Sequence, residues 1–281
     1  MYRCFKLSLD LHILKNNEHE FVEKYRKRGD KLKIELINSF ESILNAAIDE
    51  NEVISGEDFI NGWFPITNYD VFLSYSHDDE ESALFLAGFL ESQFGLKVFI
   101  DSLFWGSADE LLWEIDKEYC LNDTGDFDYK KRNFTTTHVH AMLTTAIAKA
   151  IYNSEIVIFL NSEKSIYKIE EEVEKNRTLS PWIYEEIFLT SVIGTREWYE
   201  HRGEIITEKM AYFEKAFQVS YVLPDEHLIA LKYTDLLEWK KQWDNRRKCS
   251  NGRYGDLFLK ENERIRHPLN VLYDCTCGYK E

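Results

Sequence analysis

The chain has 281 residues, 44% of them hydrophobic and 15% aromatic, enough apolar material for one large domain or two small ones. Its formal net charge is −16, from 50 acidic against 34 basic residues, which argues against a general nucleic-acid-binding surface because such a surface needs a positive field to displace counterions. No run approaches the roughly 18 apolar residues of a membrane span, and the opening MYRCFKLSLD lacks the features of a signal peptide, so a cytoplasmic protein without a membrane partner is expected. The five cysteines are odd in number and scattered, which disfavours a disulfide framework. Cys275 and Cys277 are too close for ordinary zinc-knuckle spacing even with Cys249 and His267 nearby, and no metal is expected.

Along the chain, RCFKLSL reads as a short strand and is followed by helical stretches around 18–50. Leu32, Ile34, Leu36, Ile37, Phe40, Ile43 and Leu44 include the spacing of an amphipathic helix. YDVFLSYS (69–76) is a strand ending in small polar residues. DDEESALFLAGFLESQF follows as a helix, with Asp78 or Asp79 as N-cap, a stripe of Ala83, Leu86, Ala87, Leu90 and Phe94, and Gly95 as its stop. LKVFID (96–101) is a second strand, so strand, helix and strand form a unit that implies parallel pairing. A helix over 138–154, a buried strand over 155–162 and a helix beginning at Pro181 continue the alternation. ITEKMAYFEKAF reads as helix, QVSYVL as strand-like and HLIALKYT as the last strand. The pattern implies an α/β fold, a flavodoxin-like doubly wound parallel sheet of about five strands, with ligands bound at the carboxyl ends of the strands.

Three stretches together resemble one family. YDVFLSYSHDDEESALFLAGFLESQFGLKVFID resembles the first strand, helix and second strand of TIR (Toll/interleukin-1 receptor homology) domains. AIAKAIYNSEIVIFLNSE resembles their second helix and third strand, and SPWIYEEI the start of their third helix. The likeness covers 67–195 well and extends weakly to about 240. It implies an N-terminal strand and helical extension (1–66) packing on the core, a TIR domain (67–240) with a long insertion at 102–137, and a C-terminal extension (241–281).

Many TIR domains cleave NAD⁺ at the nicotinamide–ribose bond. The resemblance makes Glu186 the catalytic carboxylate and Trp182, four residues earlier, its aromatic neighbour. Glu185 points about 100° away around the helix and ranks lower. Tyr75, Ser76 and His77 close the first strand, and Asp101 and Ser102 end the second, where the crevice should lie. Trp105 is a further substrate-binding candidate. Breaking the glycosidic bond develops positive charge on ribose. A preorganised carboxylate opposite that charge contributes on the scale of ~3–4 kcal/mol. NAD⁺ is thus the expected substrate, with no cofactor.

The resemblance further implies a homo-oligomer and a bacterial antiviral signal producer of the Thoeris kind. A phage component would trigger it, and a separate effector protein would sense an ADP-ribose product, plain, cyclic or conjugated. Two other readings remain: a non-catalytic adaptor acting by self-association, and a ribosyl- or deoxyribosyltransferase acting on free nucleosides. Within the insertion, Leu111, Leu112 and Ile115 suggest a short helix, Trp105, Trp113 and Tyr119 read as core packing of the insertion ahead of pocket lining, and the polar stretch 121–137 reads as mobile; the insertion as a whole reads as an ordered surface elaboration with no catalytic part or, alternatively, as a lid.

Overall fold

The computed structural model describes residues 1–44, 69–101, 112–113, 115–117, 119–122, 124–166, 176–202, 221–222, 225–250 and 267–276. Five parallel strands form one sheet: β1 (Arg3–Ser8), β2 (Val71–Ser74), β3 (Val98–Ile100), β4 (Ile156–Leu160) and β7 (Ile229–Lys232). Their order across the sheet is β3-β2-β4-β1-β7. Two short strands, β5 (Arg177–Thr178) and β6 (Tyr221–Val222), pair antiparallel outside it.

The helices are α1 (Leu11–Leu44), α2 (Glu80–Phe94), α3 (Tyr129–Asn153), α4 (Pro181–Val192), α5 (Tyr233–Ser250) and α6 (Pro268–Thr276). Successive strand residues point to opposite faces, and the two cores follow that alternation. Val71 and Leu73 of β2 join Ile156 and Ile158 of β4 in a core covered by α1, α2, α5 and α6. Phe72, Phe99, Val157 and Phe159 join a second core covered by α3 and α4. The result is the expected doubly wound α/β architecture, with helices on both faces of a five-stranded parallel sheet.

The stripe expected on α2 is buried, and Gly95 closes that helix at φ 70° with its N–H on the Glu91 carbonyl. Asp79 occupies the N-cap position but makes no side-chain cap bond. Its carboxylate instead accepts from the Ser162 hydroxyl at 2.5 Å, tying the start of α2 to the loop after β4.

Three expectations about organisation change. Residues 1–66 were expected as an extension packed on the core, but β1 lies inside the sheet, bonded to β4 on one side and β7 on the other. Phe5 and Leu7 face one core while Cys4 faces the other. The C-terminal segment is likewise integral. Leu269, Val271 and Leu272 of α6 are buried in the first core, and α5 runs across the boundary expected at 240. The third change concerns 129–137, which is the first part of α3 and not a mobile stretch. Asp128 caps it, accepting from the Lys130 and Lys131 amides at 2.8 and 3.1 Å. This part of the helix extends away from the core, so its sequence lacks the apolar stripe that would have marked it.

The strand-like QVSYVL yields only β6 within the described residues, and ITEKMAYFEKAF lies outside them. In α1 the helix begins earlier than expected and breaks at Glu18, whose φ is −140°. Of the amphipathic stripe expected at 32–44, the side chains from residue 36 onwards lie outside the described residues.

Candidate active site

α4 is where the candidate site is built. Ser180 caps it, accepting from the Ile183 amide at 3.3 Å, and Pro181 occupies the first turn, where its missing N–H costs nothing. Its buried face is Ile183, Glu186, Ile187 and Thr190. That is the i, i+3, i+4, i+7 stripe of a core helix, with a carboxylate at one of its positions. Glu186 is 1% exposed.

A carboxylate there faces a large desolvation cost unless it is paired or protonated. The Ser74 hydroxyl, at the end of β2, donates to Glu186 Oε2 at 2.6 Å. Glu186 Oε1 has no donor, and Glu186 makes no ion pair among the described residues. Asp101, at the end of β3 and 3% exposed, is in Coulombic and hydrogen-bonding contact with it. Burial first, and then the Asp101 charge and hydrogen bond, hold the Glu186 carboxyl well above the usual carboxylate range; the Ser74 bond opposes them, and Glu185 adds a smaller push upward. Two carboxyl groups in contact place a donor between them only when one is protonated.

The carboxyl ends of β2 and β3 and the second turn of α4 therefore meet at Ser74, Asp101 and Glu186. Of the residues expected at the site, Glu186 and Asp101 come together. Trp182 turns towards α3, its ring 5.3 Å from that of His140 and packed against the second core. Glu185 also faces α3, where it bonds to Thr144, and burial raises its carboxyl. Tyr75 is buried in the first core, on the other side of the sheet from α4. Ser76 is half-buried and its carbonyl accepts from the Asp79 amide at 2.7 Å, while His77 is exposed. Ser102 and Trp105 lie outside the described residues.

Sequence reasoning missed Ser74. The signal was present: in LSYS, Ser74 and Ser76 alternate, so both point to the same side as the strand ends. It also missed how the insertion is anchored. Asp116 is fully buried and accepts from Arg132 Nε at 2.8 Å and the Thr135 hydroxyl at 2.5 Å, pinning the insertion to the first turns of α3. Leu112 and Ile115, expected in a short packing helix, do pack against the second core. Trp113 and Tyr119 remain exposed, contrary to the expected core packing. Only their neighbours reach the core, because the helix turns their side of the surface outward.

A second polar cluster sits at the opposite, amino end of the sheet. Asp70, Glu155 and His267 bring ligand atoms within 4.8 Å of one another. Glu155 is already committed: Arg202 binds both its oxygens, at 2.6 and 3.0 Å, and the Tyr273 hydroxyl donates at 2.7 Å. The cluster acts as a staple that holds α6 and the Arg202 turn to the base of β4. No helix among the described residues is long and apolar enough to cross a membrane. No family model, curated protein or solved structure matches the chain.

Proposed function

We propose that the protein cleaves the bond between nicotinamide and ribose in NAD⁺, giving ADP-ribose or a cyclic or conjugated form of it as a signal in bacterial antiviral defence. The observation that carries this reading is the carboxylate of Glu186, set in a core stripe at the carboxyl end of a parallel sheet without a cation paired to it among the described residues. Fold stability alone would favour leucine or methionine at that position. A carboxylate kept there against its desolvation cost suits chemistry that develops positive charge beside it.

In this reading Ser74 orients Glu186 through the 2.6 Å bond to Oε2, leaving Oε1 for the ribose. As the glycosidic bond breaks, its electron pair leaves with nicotinamide and the ribosyl cation faces the carboxylate. The dry surroundings strengthen that attraction. Because Glu186 is almost wholly buried, substrate reaches it only after a rearrangement around the site. An enzyme that stays silent until triggered fits such a site.

Incubation with NAD⁺, alone and with infected-cell lysate, and chromatography of released nicotinamide tests the proposal. Glu186→Gln keeps the size and the acceptor for Ser74 but removes the charge, so nicotinamide release is abolished while the fold persists. A folded, active Glu186→Gln protein would place the catalytic group elsewhere.

The adaptor reading draws on a different observation. Phe188 and Val192 on α4, and Leu179 just before it, expose apolar surface that a second copy of the chain would bury. Concentration-dependent self-association with no nicotinamide release under either condition favours that reading.

A further inference from the structure

We propose that Lys6 recognises a phosphate of the substrate, so that the site takes a ribosyl nucleotide in preference to a free nucleoside. The inference rests on the NAD⁺-cleaving reading for the sugar that sits at Glu186, but the anion site itself is tested by binding alone.

Lys6 stands where a parallel sheet normally carries an apolar residue. β1 is an inner strand, bonded to β4 and β7, and strands so placed are mostly apolar on both faces. Cys4, two residues earlier, faces the second core, so Lys6 points to that same side, the side of α4. Register fixes its level. Lys6 lies opposite Phe159 of β4, and Phe159 lies opposite Ser74 of β2. Ser74 and Lys6 thus stand in one row across one face of the sheet, with Phe159 between them. Two strand spacings separate their backbones, roughly 10 Å. Ser74 holds Glu186 by its 2.6 Å bond. A ribose whose C1′ faces Glu186 spans part of that interval with its 5′-phosphate, and the four-carbon stem of the lysine closes the rest.

The surroundings suit Lys6 to that task. Its Nζ donates to Asp225 Oδ2 at 3.1 Å, and Asn176 Nδ2 donates to the same oxygen at 2.8 Å. The Lys6 side chain keeps 29% of its surface exposed, against 11% for that of Asp225. An ammonium has three donors, so one anchors Lys6 to Asp225 while its exposed side can meet a ligand. Asp225 is itself fixed: its carbonyl accepts from the Leu228 amide at 3.0 Å, and Leu228 packs into the second core. It therefore holds the ammonium in place and competes with any other anion for it. Along the turn that follows β2 the field has the opposite sign. Asp78, Asp79, Glu80 and Glu81 stand there in succession. Lys33 and Lys15 are bonded to Glu80 and Glu81, and Lys164 to the Asp78 carbonyl at 2.6 Å. A phosphate is repelled from that turn and drawn along the row towards Lys6.

Isothermal titration calorimetry with ADP-ribose on the full chain tests the site without turnover. Wild type is expected to bind it. Lys6→Gln is expected to weaken binding about tenfold to a hundredfold, the loss of one charge-assisted bond to phosphate, and Lys6→Arg to stay within about threefold of wild type. Asp225→Asn removes the competing anion and is expected to tighten binding severalfold, whereas a pair that merely staples the Asp225 loop to the sheet gives no gain. Wild type that does not bind ADP-ribose overturns the proposal, as does a folded Lys6→Gln protein that binds it like wild type. Should Lys6→Gln not fold, Asp225→Asn decides, and unchanged or weaker binding overturns it. The second measurement is kcat/KM for nicotinamide release from NAD⁺ and from nicotinamide riboside. The ratio of the two is expected to fall about tenfold to a hundredfold in Lys6→Gln, and an unmoved ratio overturns the preference for a nucleotide. Lys6-dependent binding of ADP-ribose in a protein that never releases nicotinamide refutes the NAD⁺-cleaving reading and leaves the anion site in place.

Discussion

Replacing Gly88 by alanine sets two effects against each other, and the structure says which wins. In an ordinary helix interior the change stabilises by about 1 kcal/mol. Here α1 and α2 cross so closely that a Cβ at residue 88 would sit 2.0 Å from the Tyr25 carbonyl oxygen and 2.7 Å from the Gly29 amide nitrogen. The crossing is reciprocal, since a Cβ on Gly29 would meet the Leu84 carbonyl oxygen at 1.9 Å. Both obstacles are backbone, so no rotamer change relieves them. Carbon and oxygen settle near 3.3 Å or more, so the helices must part by roughly 1 Å. A gap of that size forfeits about a quarter to a half of each dispersion contact across it. The side chains that meet there include Val22, Tyr25, Leu84, Phe85 and Phe89, with the Tyr25 and Phe89 rings 5.4 Å apart. At about 0.5–1 kcal/mol lost for each of five such side chains, the cost is roughly 3–4 kcal/mol. Net of the helix-propensity gain, Gly88→Ala destabilises by about 2–3 kcal/mol. For a protein of this size that lowers Tm by roughly 5–10 °C. Thermal unfolding followed by circular dichroism measures it. Gly29→Ala should act similarly, and the double variant should cost less than the sum because the helices are already parted. A Gly88→Ala protein as stable as the parent would mean that this crossing is looser than its geometry states.

Two further outcomes follow from buried polar groups. Burial above all, helped by the nearby N-terminal amine and Arg196, lowers the pKa of His201 to about 3 from 6.5. The native state therefore binds fewer protons than the unfolded state between those values, and stability falls as pH drops through that window; Tm against pH should slope less in His201→Phe, and an unchanged slope would assign the acid sensitivity to other groups. Trp239 is fully buried, stacks on Phe94 at 4.0 Å and donates to the Pro268 carbonyl at 2.8 Å; Trp239→Phe should cost about 2–4 kcal/mol in denaturant unfolding and speed amide exchange in α6, whereas unaltered α6 protection would show that this bond does not hold the C-terminal segment.

The fold class was legible because burial imposes it on local pattern. Alternating apolar strands and helical stripes from Val71 to Leu160 can bury both faces of a sheet in few ways, and the five-stranded parallel sheet is the outcome. Glu186 and Asp101 were legible as members of a crevice because they fall at the end of a strand and in the first turns of a helix. What Glu186 touches was not legible. Ser74 is 112 residues away in sequence, and only the packing of α4 across the ends of β2 and β3 brings its hydroxyl to the carboxylate.

Tertiary structure also decided where each half of the Trp-Ile-Tyr-Glu-Glu run faces. A spacing of four places Trp182 and Glu186 on one side of a helix, but the neighbours divide them: the tryptophan goes to His140, and the acid into the core stripe beside Ile183 and Ile187. Sheet order was likewise outside local reach. Strand β1 is a short polar–apolar alternation that pairs equally well at an edge or inside, and what settles it between β4 and β7 is backbone hydrogen bonding to segments some 150 and 220 residues further along the chain. Periodicity fixes which face of an element is buried; only the closed set of contacts fixes which element covers it, and that is where the carboxylate pair arises.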